Sequence, residues 1–303
     1  MELRTENSLT GVISRLFGDN KYIVNKRPVS GGDINRAYRL TLSDGAVVFM
    51  KCNSPKRLSF FTAEVNGLEA LRKSGTIGVP KPLAVGTDEG QGIAFLLMEF
   101  LDSAPRIDGY WETFGRELAV FHCADCRGFV SSSEGLFGFV SDNFIGATPQ
   151  KNTPTESWVN FFRDCRLLPQ IRLAEDAFDL KTRRQLDSLL GHLDRYLSEP
   201  ERPSLLHGDL WSGNVVCGPD GKAWVLDPAV YVGHCEAELA MTELFGGFPS
   251  AFYGAYNEGN LIPKEYRDRR DIYNLYHLLN HLNLFGGGYL GPVQSVLKRY
   301  ALN

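Results

Sequence analysis

Three oxygen-bearing side chains stand at a chemically suggestive spacing in the second half of the chain. Asp209 and Asn214 lie in the segment His207-Gly-Asp-Leu-Trp-Ser-Gly-Asn214, and Asp227 follows it, immediately before a proline. Phosphoryl transfer needs one carboxylate that faces the acceptor hydroxyl and two oxygen donors that hold Mg²⁺ against the triphosphate of ATP. Asp209 can supply the first, and Asn214 and Asp227 the other two. The spacing therefore predicts phosphoryl transfer with ATP and Mg²⁺.

A predicted β-hairpin would bring the two metal-facing positions together. Between Asn214 and Asp227 lie two short apolar runs separated by the turn signal Gly218-Pro-Asp-Gly221. If the turn centres between Asp220 and Gly221, positions 214 and 227 lie opposite one another, with Cα atoms about 4.5–5.5 Å apart. One cation could then contact both side chains. Taken singly, each of these residues could instead decorate a turn or end a strand.

A lysine and a glutamate form the second chemical signal. Lys51 ends the apolar run 47–50, where an ammonium without a partner would be costly to desolvate. On the helix predicted next, apolar residues recur every three or four positions, and Glu64 falls on their face. Such a pair places the α- and β-phosphates of ATP in the kinase template. A purely structural salt bridge is the alternative.

Two further segments fit nucleotide binding by their position. The segment Ser30-Gly31-Gly32-Asp33-Ile34-Asn35 lies between two predicted strands ahead of Lys51, and its small residues would let backbone amides approach phosphate oxygens. The same segment could also be only a turn. The adenine would meet main-chain groups at the end of a later strand, at Met98, Glu99, Phe100 and Leu101.

Periodic patterns divide the chain after residue 101. In the first part, the patterns predict one helix at 56–73. They predict strands at 22–29, 37–42, 46–52, near 83 and at 93–100. The second part is mainly helical apart from the hairpin, with helices predicted at 109–126, 155–174, 180–197 and 264–285. We therefore predict an α+β fold of two lobes. The motifs described above follow along it in the order of the protein-kinase template, so the predicted fold is protein-kinase-like. Residues 1–101 would form a small, β-rich nucleotide-binding lobe, and residues 102–303 a larger lobe for catalysis and acceptor binding.

The composition excludes several other classes of protein. With 303 residues, 43% of them hydrophobic, the chain can build two cores. A net charge of −4 gives no basic field for nucleic acid. No long apolar run or signal-peptide pattern is present, so we expect no membrane partner and a cytoplasmic location. Residues 286–291 match GxGxxG, but they follow a helix near the C-terminus, which does not fit a Rossmann unit.

The motifs resemble a known family of kinases. The spacing of Asp209 and Asn214 equals that of the protein-kinase catalytic loop, although Gly208 replaces the usual arginine. The whole segment, with Asp227, resembles the aminoglycoside phosphotransferase and choline kinase superfamily, and the context of Trp211 resembles the fructosamine (ketosamine) 3-kinases. Further similar segments extend along nearly the whole chain: 30–35, 137–139, 142–146, 149–150, 158–162, 166–167, 243–248 and 278–286.

This resemblance implies a specific reaction. The γ-phosphoryl group of ATP would pass to the 3-hydroxyl of a ketosamine, a fructosamine or ribulosamine on a small amine or a protein, and the unstable product would lose its sugar, which deglycates the amine. Asp209 would be the base and Trp211 a wall of the sugar site. Glu236 and Glu238 would shape the acceptor side, and His281 is a further substrate candidate.

Departures from related sequences limit what the resemblance implies. Some relatives carry a cysteine in the glycine-rich loop that supports redox-linked dimers, but this chain has Asp33 there, so we do not predict that switch. We expect a monomer. Pro228 stands where protein kinases have Phe-Gly, so we expect neither a phosphorylated activation loop nor a folded protein-kinase substrate. The aromatic residues Phe144, Trp158 and Phe161 either line the acceptor pocket or pack in the core.

Two other functions remain open from the sequence. The first is a kinase of the same fold that acts on another small hydroxyl compound, such as an aminoglycoside, choline or a thiosugar. The second is a catalytically inactive nucleotide-binding protein. The joint presence of Lys51, Glu64, Asp209, Asn214 and Asp227 argues against the inactive protein.

Overall fold

The computed structural model describes residues 5–29, 35–131 and 135–300. The strands are β1 Thr5–Glu6, β2 Ile23–Pro28, β3 Arg36–Leu42, β4 Val47–Asn53, β5 Pro82–Asp88, β6 Ile93–Glu99, β7 Asn143–Ile145, β8 Thr148–Gln150, β9 Ser204–Leu206, β10 Val215–Cys217, β11 Ala223–Val225 and β12 Tyr231–Gly233. The α-helices are α1 Leu9–Phe17, α2 Leu58–Ser74, α3 Tyr110–Cys123, α4 Trp158–Phe161, α5 Leu168–Leu173, α6 Leu180–Gly191, α7 Cys235–Leu244, α8 Ser250–Tyr256, α9 Tyr266–Phe285 and α10 Leu290–Tyr300.

The chain forms two compact units. The first consists of residues 1–110 and 216–227, and the second of residues 111–215 and 228–303. The division therefore falls after Tyr110 rather than after Leu101, and the sequence did not reveal that the hairpin joins the first unit. Long-range backbone bonds explain this: Val225 N donates to Gly78 O at 2.8 Å, and Ala104 N donates to Gly218 O at 3.3 Å.

A six-stranded sheet dominates the first unit. Its strand order is β1-β5-β6-β4-β3-β2, and every pair is antiparallel except β1 with β5. Helix α1 covers one face, where its buried residues meet alternate residues of the strands: Leu9, Val12, Ile13, Leu40, Leu42, Val48, Met50, Ala84, Phe95 and Leu97. Helix α2 packs against β5 and β6. Since successive strand residues point to opposite faces, Lys51 points away from the face that holds Met50.

Helix α1 was not predicted from the sequence, although the signal was present. Ser8 caps its N-terminus by accepting a hydrogen bond from Gly11 N at 3.3 Å. Leu9, Val12 and Ile13 are buried at the spacing of one helical face. The backbone N–H of Leu9 also donates to Asp88 Oδ2 at 3.0 Å, which ties the helix to the end of β5.

The predicted hairpin is present as β10 and β11. Its turn is a three-residue loop: Gly218 N donates to Lys222 O at 2.9 Å, Gly221 N donates to Gly218 O at 3.1 Å, and Gly221 has φ +75°. A type I turn followed by a left-handed residue has this pattern. The turn is therefore centred on Asp220. The predicted centre between Asp220 and Gly221, on which the pairing of positions 214 and 227 depended, is wrong by half a residue.

The second unit is mainly helical. The twenty-residue helix α9 packs against α5, α7 and α10. The unit also contains two short antiparallel strand pairs, β7–β8 and β9–β12. The helix predicted at 155–174 is interrupted, because a π-helical segment, Phe162–Leu167, joins α4 to α5. No helix within residues 5–29, 35–131 and 135–300 is long and apolar enough to cross a membrane.

Candidate active site

Lys51 and Glu64 meet on the α2 side of the first sheet. Lys51 lies on β4 opposite Leu96 of β6, and its Nζ donates to Glu64 Oε1 at 2.6 Å. Both side chains are largely buried. Glu64 lies on α2 between the buried residues Phe61 and Leu68, as the helical periodicity predicted. The structure therefore brings this predicted pair together.

Asp227 also binds Lys51. The Lys51 Nζ donates to Asp227 Oδ1, so one ammonium serves two carboxylates. Burial alone would lower the pKa of Lys51, but the charges of Asp227 and Glu64 outweigh burial, and its pKa lies above the ordinary value. Asp227 has φ +56°, a left-handed conformation that is uncommon for a residue with a side chain. Such strained residues concentrate at functional sites.

The other nucleotide-binding candidates lie in the first unit. Ser30, Gly31 and Gly32 fall outside the described residues, but Asn35 is described, and its Oδ1 accepts from Asn53 Nδ2 at 2.9 Å. That bond fixes the end of the glycine-rich segment to the end of β4.

The predicted adenine contacts lie at the end of β6 and directly after it. Met98 is buried opposite Phe49 of β4, and Glu99 is the last residue of the strand. The Glu99 N–H donates to Lys81 O at 3.0 Å and is therefore already used. Phe100 and Leu101 continue past the strand, and the Arg39 guanidinium lies over the Phe100 ring, 5.2 Å from its centroid.

The catalytic-loop candidates lie in the second unit, directly after β9. Asn214 is nearly buried, and its Nδ2 donates to Asp209 O at 2.8 Å and to Asp209 Oδ2 at 3.2 Å. The amide nitrogen therefore faces Asp209, and the amide oxygen of Asn214 is its remaining polar atom. One turn of 3₁₀-helix, Ser212–Asn214, produces this approach.

Gly208 allows the loop to pack against the segment after Asp227. Its φ is +83°, and a Cβ at this position would lie 2.1 Å from Ala229 O. Ala229 N in turn donates to His207 O at 2.8 Å. The arginine that protein kinases carry at this position is therefore excluded by the backbone.

Glu238, on α7, holds the loop from inside the unit. Its Oε1 accepts from His207 N at 3.0 Å, and its Oε2 accepts from Gly208 N at 2.7 Å. His122 Nε2 lies 3.1 Å from Oε1, and His122 Nδ1 lies 2.8 Å from Tyr256 Oη. Although burial raises the pKa of Glu238, the hydrogen bond and charge of His122 and the charge of His207 lower it below its ordinary value overall. Glu238 is thus a buried, ionised support of the catalytic loop.

Glu236 and Glu238, which were predicted to shape the acceptor side, both have partners inside the second unit, and their acceptor-side role stays a prediction. Glu238 binds backbone amides, and Glu236 has no exposed side-chain surface. Arg269 engages both oxygens of Glu236, with Nε at 2.8 Å from Oε2 and Nη2 at 2.5 Å from Oε1. The sequence signal was available: α7 has few polar residues besides these glutamates, and a buried carboxylate needs internal partners.

A network of buried amide side chains holds the segment after Asp227. Gln150 Nε2 donates to Ala229 O at 3.0 Å, and Asn143 Nδ2 donates to Val230 O at 2.7 Å. Gln150 also donates to Asn143 Oδ1 at 2.7 Å. Spacing alone did not reveal these roles, because the partners are backbone carbonyls about eighty residues away along the chain.

Arg166 is buried beside this network. In the described part of the chain, no acidic side chain is among its hydrogen-bond acceptors. Its Nη1 donates to Lys151 O at 2.6 Å and its Nη2 to Asn152 Oδ1 at 2.8 Å, whereas its Nε has no partner there. The guanidinium lies over the ring of Tyr231, 3.9 Å from the centroid. Arg166 comes from the π-helical segment, a conformation often found near functional sites.

The aromatic candidates separate into two groups. Trp158 and Phe161 are fully buried, which confirms for them the packing alternative. Trp211 is half-buried, and its ring centroid lies 5.8 Å from that of Phe245. Phe245 in turn lies 4.6 Å from His281. The structure therefore links the substrate candidates Trp211 and His281 through Phe245, a residue that the sequence analysis did not single out.

Known proteins related to this chain are kinases by name. The family model described as "Fructosamine kinase" matches residues 6–303. A probable ketoamine kinase from Synechocystis sp. is 40% identical over 295 residues, which cover 95% of this chain and 94% of that protein. A chloroplastic protein-ribulosamine 3-kinase from Arabidopsis thaliana is 38% identical over 276 residues, which cover 90% of this chain and 81% of that protein.

Solved structures support the same relationship. A candidate fructosamine-3-kinase from Haemophilus somnus matches with a TM-score of 0.82 and 28% identity, covering 96% of both chains. An aminoglycoside phosphotransferase matches with a TM-score of 0.60 and 15% identity over 98% of this chain and all of that one, which shows the fold alone. The α+β, protein-kinase-like fold is thus confirmed. The match over residues 6–303 and the 40% identity show that this chain belongs to the fructosamine kinase family.

Proposed function

We propose that this protein uses ATP and Mg²⁺ to phosphorylate the 3-hydroxyl of ketosamines, on small amines or on proteins, and so promotes deglycation. Membership in the fructosamine kinase family carries the reaction class. The single observation that carries the mechanism is the bond from Asn214 to Asp209, since it joins the proposed base to a proposed metal ligand.

Asp209 is the proposed general base. Its carboxylate would accept the proton of the substrate hydroxyl as that oxygen attacks the γ-phosphorus of ATP and ADP leaves. The Asn214 amide donates to the same carboxylate at 3.2 Å, and Glu238 holds the amides of His207 and Gly208. These contacts keep the carboxylate in one orientation, which is what a base with a fixed partner needs.

Asn214 and Asp227 are the proposed ligands of Mg²⁺, and the proposal rests on the chemistry of their side chains. Asn214 would supply its amide oxygen and Asp227 a carboxylate oxygen, and oxygen ligands of this kind suit a hard cation. Bound Mg²⁺ would neutralise charge on the β- and γ-phosphates. Two protein ligands are enough, because Mg²⁺ usually takes its other ligands from phosphates and water.

Lys51 is the proposed contact of the α- and β-phosphates, with Glu64 as its positioning partner. Lys51 already has two anionic partners, so an incoming triphosphate would replace Asp227 as the second one. The amides of Ser30, Gly31, Gly32 and Asn35 are proposed to cover the phosphates. Main-chain groups of Met98, Glu99, Phe100 and Leu101 are proposed for adenine, with the Glu99 N–H excluded by its bond to Lys81.

A substrate panel tests the proposal. Purified protein with ATP and Mg²⁺ would be assayed for ADP release and for phosphorylated product with fructosyl-lysine, ribulosyl-lysine, an aminoglycoside, choline and a thiosugar. We expect turnover with one or both ketosamines and none above background with the others. Turnover only with a compound of the second group would replace the ketosamine by that class, and ATP binding without turnover on any acceptor would favour the inactive protein.

The proposal also includes a monomer as the active species. Light scattering at the protein concentration of the assay would test it, and a mass near twice the 33.8 kDa of one chain would contradict it.

A further inference from the structure

Arg166 is a buried cation that forms no ion pair with a carboxylate within the described residues. It is 0% exposed. Its guanidinium donates to the main-chain oxygens of Lys151 and Cys165 at 2.6 and 3.0 Å, and to Asn152 Oδ1 at 2.8 Å. Burying such a charge is costly, and an apolar side chain would fill the same space at lower cost. The contacts of Arg166 therefore indicate a task other than packing.

Two amide side chains, Asn152 and Asn143, connect Arg166 to the main chain at Val230, and we call them the amide relay. Arg166 Nη2 donates to Asn152 Oδ1 at 2.8 Å. Asn152 Nδ2 donates to Asn143 Oδ1 at 3.0 Å, and Asn143 Nδ2 donates to Val230 O at 2.7 Å. All these bonds run in the same direction, so the charge of the guanidinium polarises the amides that follow it and strengthens their bonds. Arg166 thus helps to hold the carbonyl of Val230.

Tyr231 provides a second connection, to the residue before the proposed base. The Arg166 guanidinium lies over the Tyr231 ring, 3.9 Å from its centroid, which is a cation–π contact. The same ring closes the space beside Gly208, because a Cβ at Gly208 would lie 3.2 Å from Tyr231 Cε1. Arg166 and Gly208 therefore both pack against this buried ring.

Both connections end on one pair of main-chain segments, 229–231 and 206–208. The two segments are joined by the hydrogen bond from Ala229 N to His207 O at 2.8 Å and by the pairing of β12 with β9. Asp209 directly follows the second segment. A shift of either segment would therefore move the carboxylate that is the proposed base.

The π-helical segment, Phe162–Leu167, carries Arg166 to this place. Four of its six residues are buried, and Arg166 is one of them. Turns of π-helix are rare and frequently lie at functional sites. Because Arg166 has no exposed surface, it can act on a reaction only through the residues that it contacts.

We propose that Arg166 is a positioning residue of the phosphoryl-transfer reaction. It fixes segment 229–231 against segment 206–208 and so holds the Asp209 carboxylate where it accepts the proton of the acceptor hydroxyl. This inference rests on the proposed function. Because a displacement of roughly 1 Å at a reacting group can cost about 10²-fold in rate, the loss of Arg166 should lower kcat. It should leave KM for ATP nearly unchanged, because a nucleotide cannot reach a side chain without exposed surface.

Two substitutions at this position test the role of the guanidinium. Arg166→Met removes both its charge and its donors, whereas Arg166→Lys keeps the charge without the planar fork. With the ketosamine that the wild-type protein turns over best, we expect kcat to fall about 10- to 100-fold in Arg166→Met and about 3- to 10-fold in Arg166→Lys, with KM for ATP within about twofold of the wild-type value. A kcat of Arg166→Met within about twofold of the wild-type value would overturn the inference, as would a kcat of Arg166→Lys no higher than that of Arg166→Met.

Two variants elsewhere in the second unit control for general loss of stability. Arg183→Met removes another arginine that binds main-chain oxygens, with Nη2 2.8 Å from Glu175 O and Nε 3.1 Å from Phe178 O. Leu189→Ala opens a cavity at α6, where Leu189 is 1% exposed, and should lower the melting temperature. At a temperature where both are folded, both should keep kcat within about twofold of the wild-type value. A fall of kcat in Leu189→Ala as large as that in Arg166→Met would overturn the inference.

Hydrogen exchange tests the same contacts without turnover. In the full-length protein, peptides that cover 205–210 and 228–233 should exchange about tenfold faster in Arg166→Met than in the wild type, because their amide bonds open more often. Peptides that cover α6 should exchange as in the wild type. Leu189→Ala should show the reverse pattern. Wild-type exchange of both peptides in Arg166→Met would overturn the inference.

Failure of the proposed function has a different signature. If the wild-type protein phosphorylates no ketosamine, that function is wrong, and the exchange pattern alone then decides whether Arg166 positions the loop. If Arg166→Met does not fold, Arg166→Lys carries both tests. Its wild-type kcat with wild-type exchange would overturn the inference, and a lower kcat with faster exchange of the two peptides would support it.

Discussion

The two proposed catalytic aspartates are held in opposite ways. In the first unit, Asp227 is about half exposed and is bound by the ammonium of Lys51, which also binds Glu64. In the second unit, Asp209 belongs to a loop whose preceding amides are bonded to the buried carboxylate of Glu238.

The two kinds of contact allow the two units to respond differently to substrate. Ion pairs between side chains can exchange partners when a new anion or cation arrives, at the cost of rearranging side chains alone. Backbone amides bonded to a buried carboxylate have no such freedom, since a buried donor without a partner is costly. We therefore expect the Lys51 group to rearrange when nucleotide binds and the loop of Asp209 to stay as it is.

Asp209→Asn should have the largest effect, and it tests the loop of the second unit that we expect not to rearrange. We expect kcat to fall by roughly 10²–10⁴-fold, since the amide cannot accept the proton of the acceptor, while ATP affinity changes little. Steady-state kinetics with calorimetric titration of a non-hydrolysable ATP analogue would measure both. Wild-type turnover would remove Asp209 from the role of base.

Lys51→Met tests the ion pairs of the first unit, which we expect to exchange partners when nucleotide binds. Methionine keeps much of the apolar stem but leaves Glu64 and Asp227 without their shared cation. We expect kcat/KM for ATP to fall by about 10²–10³-fold, as for the loss of one electrostatic contact in a site. Glu64→Gln, which keeps Lys51 and Asp227, should cost less. A larger loss in Glu64→Gln than in Lys51→Met would contradict the view that Glu64 acts only through Lys51.

Glu238→Gln and Glu236→Gln form a matched pair two residues apart on α7. In Glu238→Gln the new amide would present an NH₂ group to one of the loop amides, so we expect kcat to fall roughly 10- to 100-fold through misplacement of Asp209. Glu236→Gln weakens the pair with Arg269 and should lower thermal stability while kcat stays within about twofold of the wild-type value, because loop contacts persist. If both variants lost kcat equally, general destabilisation would explain the effect of Glu238→Gln.

Acid should weaken the second unit selectively, because all six histidines lie in it. Burial lowers the pKa of His234 to about 4 and that of His277 to about 3, whereas an unfolded histidine titrates near 6.5. Below about pH 6.5 the unfolded state therefore binds more protons than the folded state. The contribution of the two buried, neutral histidines to the free energy of unfolding is complete above that pH and is lost as pH falls towards 4.

The expected loss is about 1.4 kcal/mol per pH unit for each histidine within that window. Lys51 does not change the free energy of unfolding within this pH range. Because its pKa is raised, its contribution is complete at acidic and neutral pH and is lost only in strong alkali. Urea unfolding at pH 7.5, 6 and 5 would measure the slope, and His277→Gln should make it shallower. A free energy of unfolding that is constant from pH 7.5 to 5 would contradict the prediction.

Sequence periodicity predicted some parts of the site well. Lys51 and Glu64 could be paired because each falls in a regular pattern, a strand and a helix, that fixes the direction of its side chain. Helix α2, predicted at 56–73, spans Leu58–Ser74. The fold could be predicted for the same reason, since most strands of the first sheet carry clear β patterns.

Contacts between distant segments could not be predicted in this way. The bonds of Glu238 to His207 and Gly208 join a side chain to backbone amides, which leave no trace in residue type. The π-helical segment and the attachment of the hairpin to Gly78 likewise depend on packing that no local pattern encodes. The residue type and helical position of Glu236 likewise do not say that its partner is Arg269.

The contact between Gly208 and Ala229 O bears on how such an enzyme can be controlled. In protein kinases, phosphorylated activation loops are often read by arginines, and the catalytic loop carries one before its aspartate. Here a β-carbon at position 208 would collide with a carbonyl oxygen, so no single substitution can introduce that arginine without moving the main chain. We expect turnover to follow the supply of nucleotide and acceptor, with no phosphate-operated switch in this loop.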